Sequence, residues 1–250
     1  MLDLHSHVLP GLDDGAASAE EAVAIARAAC ADGVRVLAAT PHVRSDYPTT
    51  ASQLDAGLRA LPPLPIDVVR GGEVSLEVAA ALPPDDLAPF AIAGSRYLLV
   101  EPPYTGLPLN AGTTLFLLRL AGFVPIIAHP ERNPDVQADP SRLRELVEAG
   151  ALAQLTAGSL TGRRGATAQR TARVLLQEGL AHLVAGDAHR PLDRSATMSR
   201  GLAAVGDEAL AEWLGRSVPA AILADEDIPP RPATGRTRRR RRVLAWRTPA

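Results

Sequence analysis

At 250 residues, with 46% apolar and 22% charged side chains, the chain has the length and composition of a globular protein with a sizeable core. No apolar run approaches the ~18 residues that cross a bilayer, no basic leader precedes the first strand, and the single cysteine excludes an internal disulfide, so the expectation is a cytoplasmic protein without membrane insertion. All 26 basic residues are arginine; without lysine, neither a Walker-type phosphate loop nor Schiff-base chemistry is available.

In chain order, short β-rich runs alternate with helical patterns. LDLH (2–5) comes first, then a helix over 18–32 in which Ser18 and Glu21 form a capping-box pair and Gly33 is the stop. VRVLAAT (34–40) and PIDVVRGGE (65–73) read as the next strands, followed by an irregular stretch, 74–95. RYLLVE (96–101) precedes a helix near 108–121, FVPIIAH (123–129) one at 140–149, ALAQLT (151–156) one at 166–178, and AHLVAGD (181–187) one at 207–214. Near-continuous apolar strands separated by helices predict an α/β fold with a parallel sheet. Seven such units suit an open doubly wound sheet or a closed barrel, and periodicity does not choose between them.

Two features lie outside this alternation. Cys30 sits on the first amphipathic helix, with four residues between it and Arg35 instead of the five of a cysteine-phosphatase loop, and reads as a buried core residue. From Arg231 onward there are eight arginines and no acid, against 18 arginines and 28 acids in the first 230 residues. Residues 229–250 therefore read as a disordered Pro/Arg-rich tail on an acidic domain of residues 1–228. Nucleic acid or an anionic surface is a candidate partner for that tail.

The histidines fall in a pattern. His5 and His7 follow the first strand, two residues apart and so on one face. His42 follows the second strand, His129 closes the fifth and His189 follows the seventh; His182 begins a strand and reads as structural. Carboxylates occupy matching places: Asp13 and Asp14 after strand one, Glu73 ending strand three, Glu101 ending strand four and Asp187 ending strand seven. Parallel strands bring their C-terminal ends to one face, where barrel enzymes build their sites. Nine imidazoles and carboxylates gathered there cannot remain unpaired, and divalent cations resolve the cost. Nitrogen and oxygen donors without thiolate suit manganese, iron or zinc, and their number exceeds one coordination shell, so two or three bridged ions are implied.

With these residues assembled, the chain resembles the PHP superfamily (polymerase and histidinol phosphatase). Within it, the chain is most similar to the CpsB/CapC-type manganese-dependent protein-tyrosine phosphatases of capsule and exopolysaccharide biosynthesis. The motifs are LDLHSHVLPGLDDGA, TPH, GGE, LLVE, IIAHPER, QLTAGSLTGRRG and AGDAHR, in order over roughly residues 1–220. The resemblance implies a distorted seven-stranded (β/α)7 TIM-like barrel with a trinuclear centre, Mn2+ being the expected ion. His5, His7, Glu73 and Asp187 would hold the first ion; Glu73 would bridge to a second held by Glu101 and His129. Asp14, His42 and His189 would hold the third, with Asp14 also a catalytic carboxylate and the choice between Asp13 and Asp14 left open. Arg132 would stabilise the phosphoryl oxygens, with Arg194 or Arg190 as a second cation. The implied reaction is attack of a metal-bridging hydroxide on a phosphotyrosine, without a covalent phosphoenzyme, the substrate being the tyrosine-rich tail of a polysaccharide-export kinase. The alternatives are a small-molecule phosphatase such as histidinol phosphatase, and a nucleic-acid-acting PHP protein using the arginine run. One departure from the branch is Pro102, directly after Glu101, where an aromatic is expected.

Overall fold

The computed structural model describes residues 1–191 and 197–233. Its strands are β1 (Leu2–Ser6), β2 (Val36–Ala39), β3 (His42–Arg44), β4 (Tyr47–Pro48), β5 (Asp67–Arg70), β6 (Glu73–Ser75), β7 (Tyr97–Glu101), β8 (Val124–Ala128), β9 (Leu152–Thr156) and β10 (Leu183–Ala185). They form a three-stranded sheet, β1-β2-β5, and a seven-stranded sheet, β10-β9-β8-β7-β6-β3-β4. Every pairing is parallel except the short β3–β4 hairpin, which makes this an α/β fold with mostly parallel sheets.

The expected second and third strands are each broken in two. β2 and β3 are separated by Thr40 and Pro41, and proline has no N–H to give the ladder. β5 and β6 are separated by Gly71 and Gly72. A Cβ at Gly72 would come within 2.9 Å of the Phe90 ring, so only glycine admits that approach. Both runs thereby leave the small sheet and enter the large one, and the break aims His42 and Glu73 at the same end as the other strand termini.

β7 and β9 are buried along their whole length, as near-continuous apolar runs in a parallel sheet must be. Helices supply the cover. The helix Ala19–Ala31 starts at Ser18, whose Oγ accepts the Glu21 N–H, while the Glu21 carboxylate accepts the Ala17 N–H at 2.9 Å. A helix at Ala51–Ala60, missed by the sequence reading, is set by a reciprocal capping box between Thr50 and Gln53. The stretch read as irregular holds short helices at Leu76–Ala81 and Pro84–Leu87. Cys30 is half-buried, not fully buried as expected, and packs against the core with Sγ 3.6 Å from the Pro65 carbonyl oxygen.

The last strand lies beside the first. The Asp187 N–H donates to the His5 carbonyl at 3.0 Å and the His7 N–H to the Ala188 carbonyl at 2.9 Å. Asp3, buried beneath them, accepts the Gly186 N–H at 2.9 Å. At the far end, Trp213 Nε1 donates to the Pro229 carbonyl, and the Arg231 guanidinium donates to the carbonyls of Ala181 and Leu176. The chain is thus attached to the body past the boundary expected at residue 228. The expected disordered tail beyond residue 233, and Arg194, lie outside the described residues. Among the described residues, no helix is long and apolar enough to cross a membrane.

Candidate metal centre

His5 on β1 and His7 just beyond it point their Nε2 atoms at one place, 3.3 Å apart. Each is held from behind. Nδ1 of His5 lies 2.9 Å from the Gln154 amide oxygen, and Nδ1 of His7 lies 2.6 Å from Asp13 Oδ2. Both partners are acceptors, so each Nδ1 carries a proton and each Nε2 is the atom left to bind a cation once its own proton is displaced. Asp13 also accepts the backbone N–H groups of Gly15 and His42, both at 2.9 Å.

Glu73 stands at the middle. Oε2 lies 3.3 Å from His5 Nε2, 3.4 Å from His7 Nε2 and 2.9 Å from His42 Nδ1, and Oε1 lies 2.9 Å from His129 Nε2. Glu101, at the end of β7, is 3.6 Å from both His42 and His129. Asp187 Oδ1 faces His5, His7 and His189 at 3.5, 3.6 and 3.5 Å. Asp14 Oδ1 is 3.4 Å from Nε2 of both His42 and His189. All nine expected ligand residues therefore meet in one cluster, and Asp14, not Asp13, offers it a carboxylate.

Two ligand candidates sit in strained backbone. His129 has φ +34° and Asp187 φ +51°, the left-handed region that side chains rarely adopt. Each is locked: the Arg132 N–H donates to the His129 carbonyl at 2.9 Å, and Asp187 is tied to β1 as described above.

The donor set fits divalent cations on three observations. Atoms of His7, Asp14, His42 and His189, of His5, His7 and Asp187, and of His42, Glu73 and Glu101 fall in three groups, each spanning under 4.8 Å. The groups differ from the sets implied by the resemblance: His7 joins the Asp14 group, His42 stands in place of His129 beside Glu73 and Glu101, and the His5–His7–Asp187 group lacks Glu73. Glu101 Oε1 is buried without a hydrogen-bond partner, and His42 Nδ1 and Glu73 Oε2 lie 2.9 Å apart without forming a hydrogen bond, the condition a cation relieves. The ligands are all nitrogen or oxygen, the chemistry of manganese, iron or zinc.

Burial alone would lower the His5 pKa, but the Glu73 and Asp187 carboxylates outweigh it and lift it to about 9. His7 is lifted well above its ordinary value against burial, chiefly by Asp13. Burial acts to raise Glu73, yet the imidazoles of His5, His129 and His42 hold it well below the carboxylate range. His189 is pushed down to about 4 by burial and by its neighbour His7, whose ring stacks on it at 3.8 Å. The cluster thus balances its carboxylates with imidazolium protons, which a bound cation has to displace.

Guanidinium groups line the rim. Arg132 Nη1 is 2.8 Å from Asp187 Oδ2, Arg164 Nη2 is 3.2 Å from the same oxygen, and Arg44 Nη1 is 3.1 Å from Glu101 Oε2. Arg190, expected as a second cation, is exposed, and no hydrogen bond or ion pair among the described residues joins it to the cluster. The residues the sequence reading missed are Gln154, Arg44, Arg164 and Tyr104. Gln154 carried a signal, a polar residue amid the apolar β9, and Arg164 lay between two glycines in a motif already quoted. Tyr104 lies parallel to His129 at 6.2 Å and beneath the Arg132 guanidinium at 5.5 Å. Pro102 lines a small apolar cavity together with Leu76, Leu107 and Leu115, and Glu101 faces the cluster.

Residues 1–216 match the family model for capsular polysaccharide synthesis, CpsB/CapC. The tyrosine-protein phosphatase YwqE of Bacillus subtilis is 37% identical over 205 residues, covering 78% of this chain and 80% of that protein. The putative tyrosine-protein phosphatase CapC of Staphylococcus aureus is 32% identical over 203 residues, covering 78% and 79%. In structure, the chain is similar to one from the crystal structures of YwqE of B. subtilis and CpsB of Streptococcus pneumoniae, described as unique metal-dependent tyrosine phosphatases. The TM-score there is 0.82 at 31% identity, covering 94% of this chain and all of the other.

Proposed function

The chain belongs to the CpsB/CapC family, and from that premise we propose that it is a metal-dependent phosphomonoesterase that hydrolyses phosphotyrosine in proteins. The observation that carries this reading is the cluster of five imidazoles and four carboxylates, buried except at Asp14 and His189, edged by arginines and opening to solvent. His5, His7, Glu73 and Asp187 would hold one cation, Glu73 with Glu101 and His129 a second, and Asp14, His42 and His189 a third, Mn2+ being the ion proposed. Bound there, divalent cations supply Lewis acidity towards phosphoryl oxygens and a water activated near neutral pH.

The chain's own residues do the rest. Asp13 and Gln154 fix the tautomers of His7 and His5. Arg132, aimed by the strained turn at His129, takes the phosphoryl oxygens through its planar fork. Phenolate leaves readily, so the site needs no strong acid beside the leaving group. The rim is open: side-chain exposure is 46% for Asp14 and 22% for Arg132. That openness favours a phosphotyrosine presented on a protein over an enclosed metabolite. The proposed substrate is the tail of a bacterial tyrosine kinase in capsule synthesis, met in the cytoplasm. The nucleic-acid reading depends on the arginine run at 238–242, outside the described residues.

For the architecture, we read the two sheets as one closed, distorted seven-stranded barrel forming a single domain. In support, β2 continues as β3 and β5 as β6 across the sheet boundary, and β1 bonds to the chain leaving β10.

The test is phosphate release from a phosphotyrosine peptide and from histidinol phosphate by metal-stripped protein with Mn2+ restored. Expected is faster turnover of the peptide, lost in His5→Ala and kept in Cys30→Ser. Preference for histidinol phosphate, or activity that survives His5→Ala, overturns the reading.

A further inference from the structure

We propose that Arg164 is a phosphoryl-binding residue of this site, acting with Arg132 as a two-guanidinium clamp; the inference rests on the phosphatase reading above. The Asp187 carboxylate divides its two oxygens. Oδ1 faces the imidazoles of His5, His7 and His189, whereas Oδ2 accepts from Arg132 at 2.8 Å and from Arg164 at 3.2 Å. Two guanidiniums on one carboxylate oxygen leave one positive charge unbalanced and most of their N–H donors unspent. Among the described residues, the contact with Asp187 is the one hydrogen bond of the Arg164 guanidinium, and its side chain is 39% exposed at the rim. Arg132, by contrast, also reaches the Tyr104 hydroxyl and lies over its ring.

Arg164 is presented on a fixed turn. The backbone N–H groups of Arg163 and Arg164 both donate to the Gly158 carbonyl, at 2.8 and 3.3 Å. Gly162 and Gly165 flank the pair with φ of +86° and +95°, a backbone that other residues adopt only under strain. The turn follows directly on β9 and the short helix Ala157–Leu160, so the guanidinium is carried from the next strand terminus to the one bearing Arg132. A phosphomonoester dianion carries two charges and three terminal oxygens. One planar fork satisfies two oxygens, and a second reaches the third and adds a further positive charge beside whatever cations the cluster holds. A balancing role towards Asp187 alone makes a different forecast, because removing Arg164 would then change cation affinity and leave phosphate binding alone.

The experiment is calorimetric titration of inorganic phosphate into Mn2+-loaded wild type, Arg164→Gln, Arg164→Lys and Arg132→Gln. Mn2+ affinity is measured separately on each stripped protein, and KM and kcat on a phosphotyrosine peptide. Expected is a phosphate Kd raised roughly tenfold or more in Arg164→Gln, as for loss of a charge-assisted contact. Arg164→Lys recovers part of it, Mn2+ affinity stays close to wild type, and the loss in turnover appears mainly in KM. A phosphate Kd in Arg164→Gln equal to wild type, or a loss matched by lost Mn2+ affinity, overturns the inference and leaves the phosphatase reading standing. Failure of the loaded wild type to bind phosphate overturns both.

Discussion

Oδ2 of Asp13 bonds Nδ1 of His7 at 2.6 Å, and the same oxygen accepts the His42 N–H at 2.9 Å. One carboxylate thus orients the His7 imidazole and anchors the backbone of His42 without facing the cluster itself. Burial would raise its pKa, but the bond to His7 and the backbone donors hold it below the ordinary carboxylate value, so it stays an acceptor at neutral pH. Replacing Asp13 with Ala frees the His7 ring and loosens the loop. Mn2+ affinity measured by calorimetry is expected to fall about 10–100-fold with the fold intact by circular dichroism, the usual cost of losing such a partner. Wild-type affinity in that variant would refute the orienting role.

Gly15 follows the aspartate pair because nothing larger fits. A Cβ there would lie 2.2 Å from the His7 carbonyl oxygen and 2.4 Å from the His7 Cβ. Gly15→Ala must push β1's end away from the loop, and a destabilisation of roughly 1–3 kcal/mol is expected, as for overpacking elsewhere. Thermal unfolding of the stripped protein reads this without the cation; an unchanged midpoint would show that the loop yields freely.

Cations held by the cluster bind the folded chain and not the unfolded one. With free Mn2+ at about 100 times its Kd, mass action adds about 2.7 kcal/mol, or roughly 5–10 °C in midpoint for a chain of this size. Glu73→Gln, altering the fully buried carboxylate that four imidazoles approach, is expected to abolish most of that shift. A shift of the same size in the variant would mean that Glu73 is not a ligand.

His182, which begins the chain segment entering β10 and is not one of the cluster ligands, is held neutral. Burial and then the nearby Arg231 guanidinium lower its pKa from 6.5 to about 4, while its Nδ1 accepts the Ala153 N–H at 3.1 Å. Below pH 6.5 the unfolded chain takes up a proton that the folded chain refuses, so this stability is complete above 6.5 and is lost as pH falls towards 4. The loss amounts to at most about 3 kcal/mol. Denaturant unfolding at pH 7 and pH 4.5 is expected to show a smaller difference in His182→Asn than in wild type; equal differences would exclude this histidine as a source of acid sensitivity.

The local sequence determined the strand termini, and through them the ligand candidates. Apolar runs mark strands wherever they lie, and the residue after such a run lands at the sheet's end, so His5, His7, His42, Glu73, Glu101, His129, Asp187 and His189 were legible from position alone. Only the tertiary structure chose between Asp13 and Asp14. Adjacent residues in one loop have the same local context, and the difference lies in which carboxylate the His7 ring meets after the loop folds back. Gln154, Arg44 and Arg164 became visible in the same way, because each acts on a residue brought beside it from another part of the chain: 149 positions away for Gln154 and His5, 57 for Arg44 and Glu101, 23 for Arg164 and Asp187. Periodicity records which way a side chain faces along its own element; it carries nothing about what stands opposite, which is decided when the sheet brings distant strand ends together.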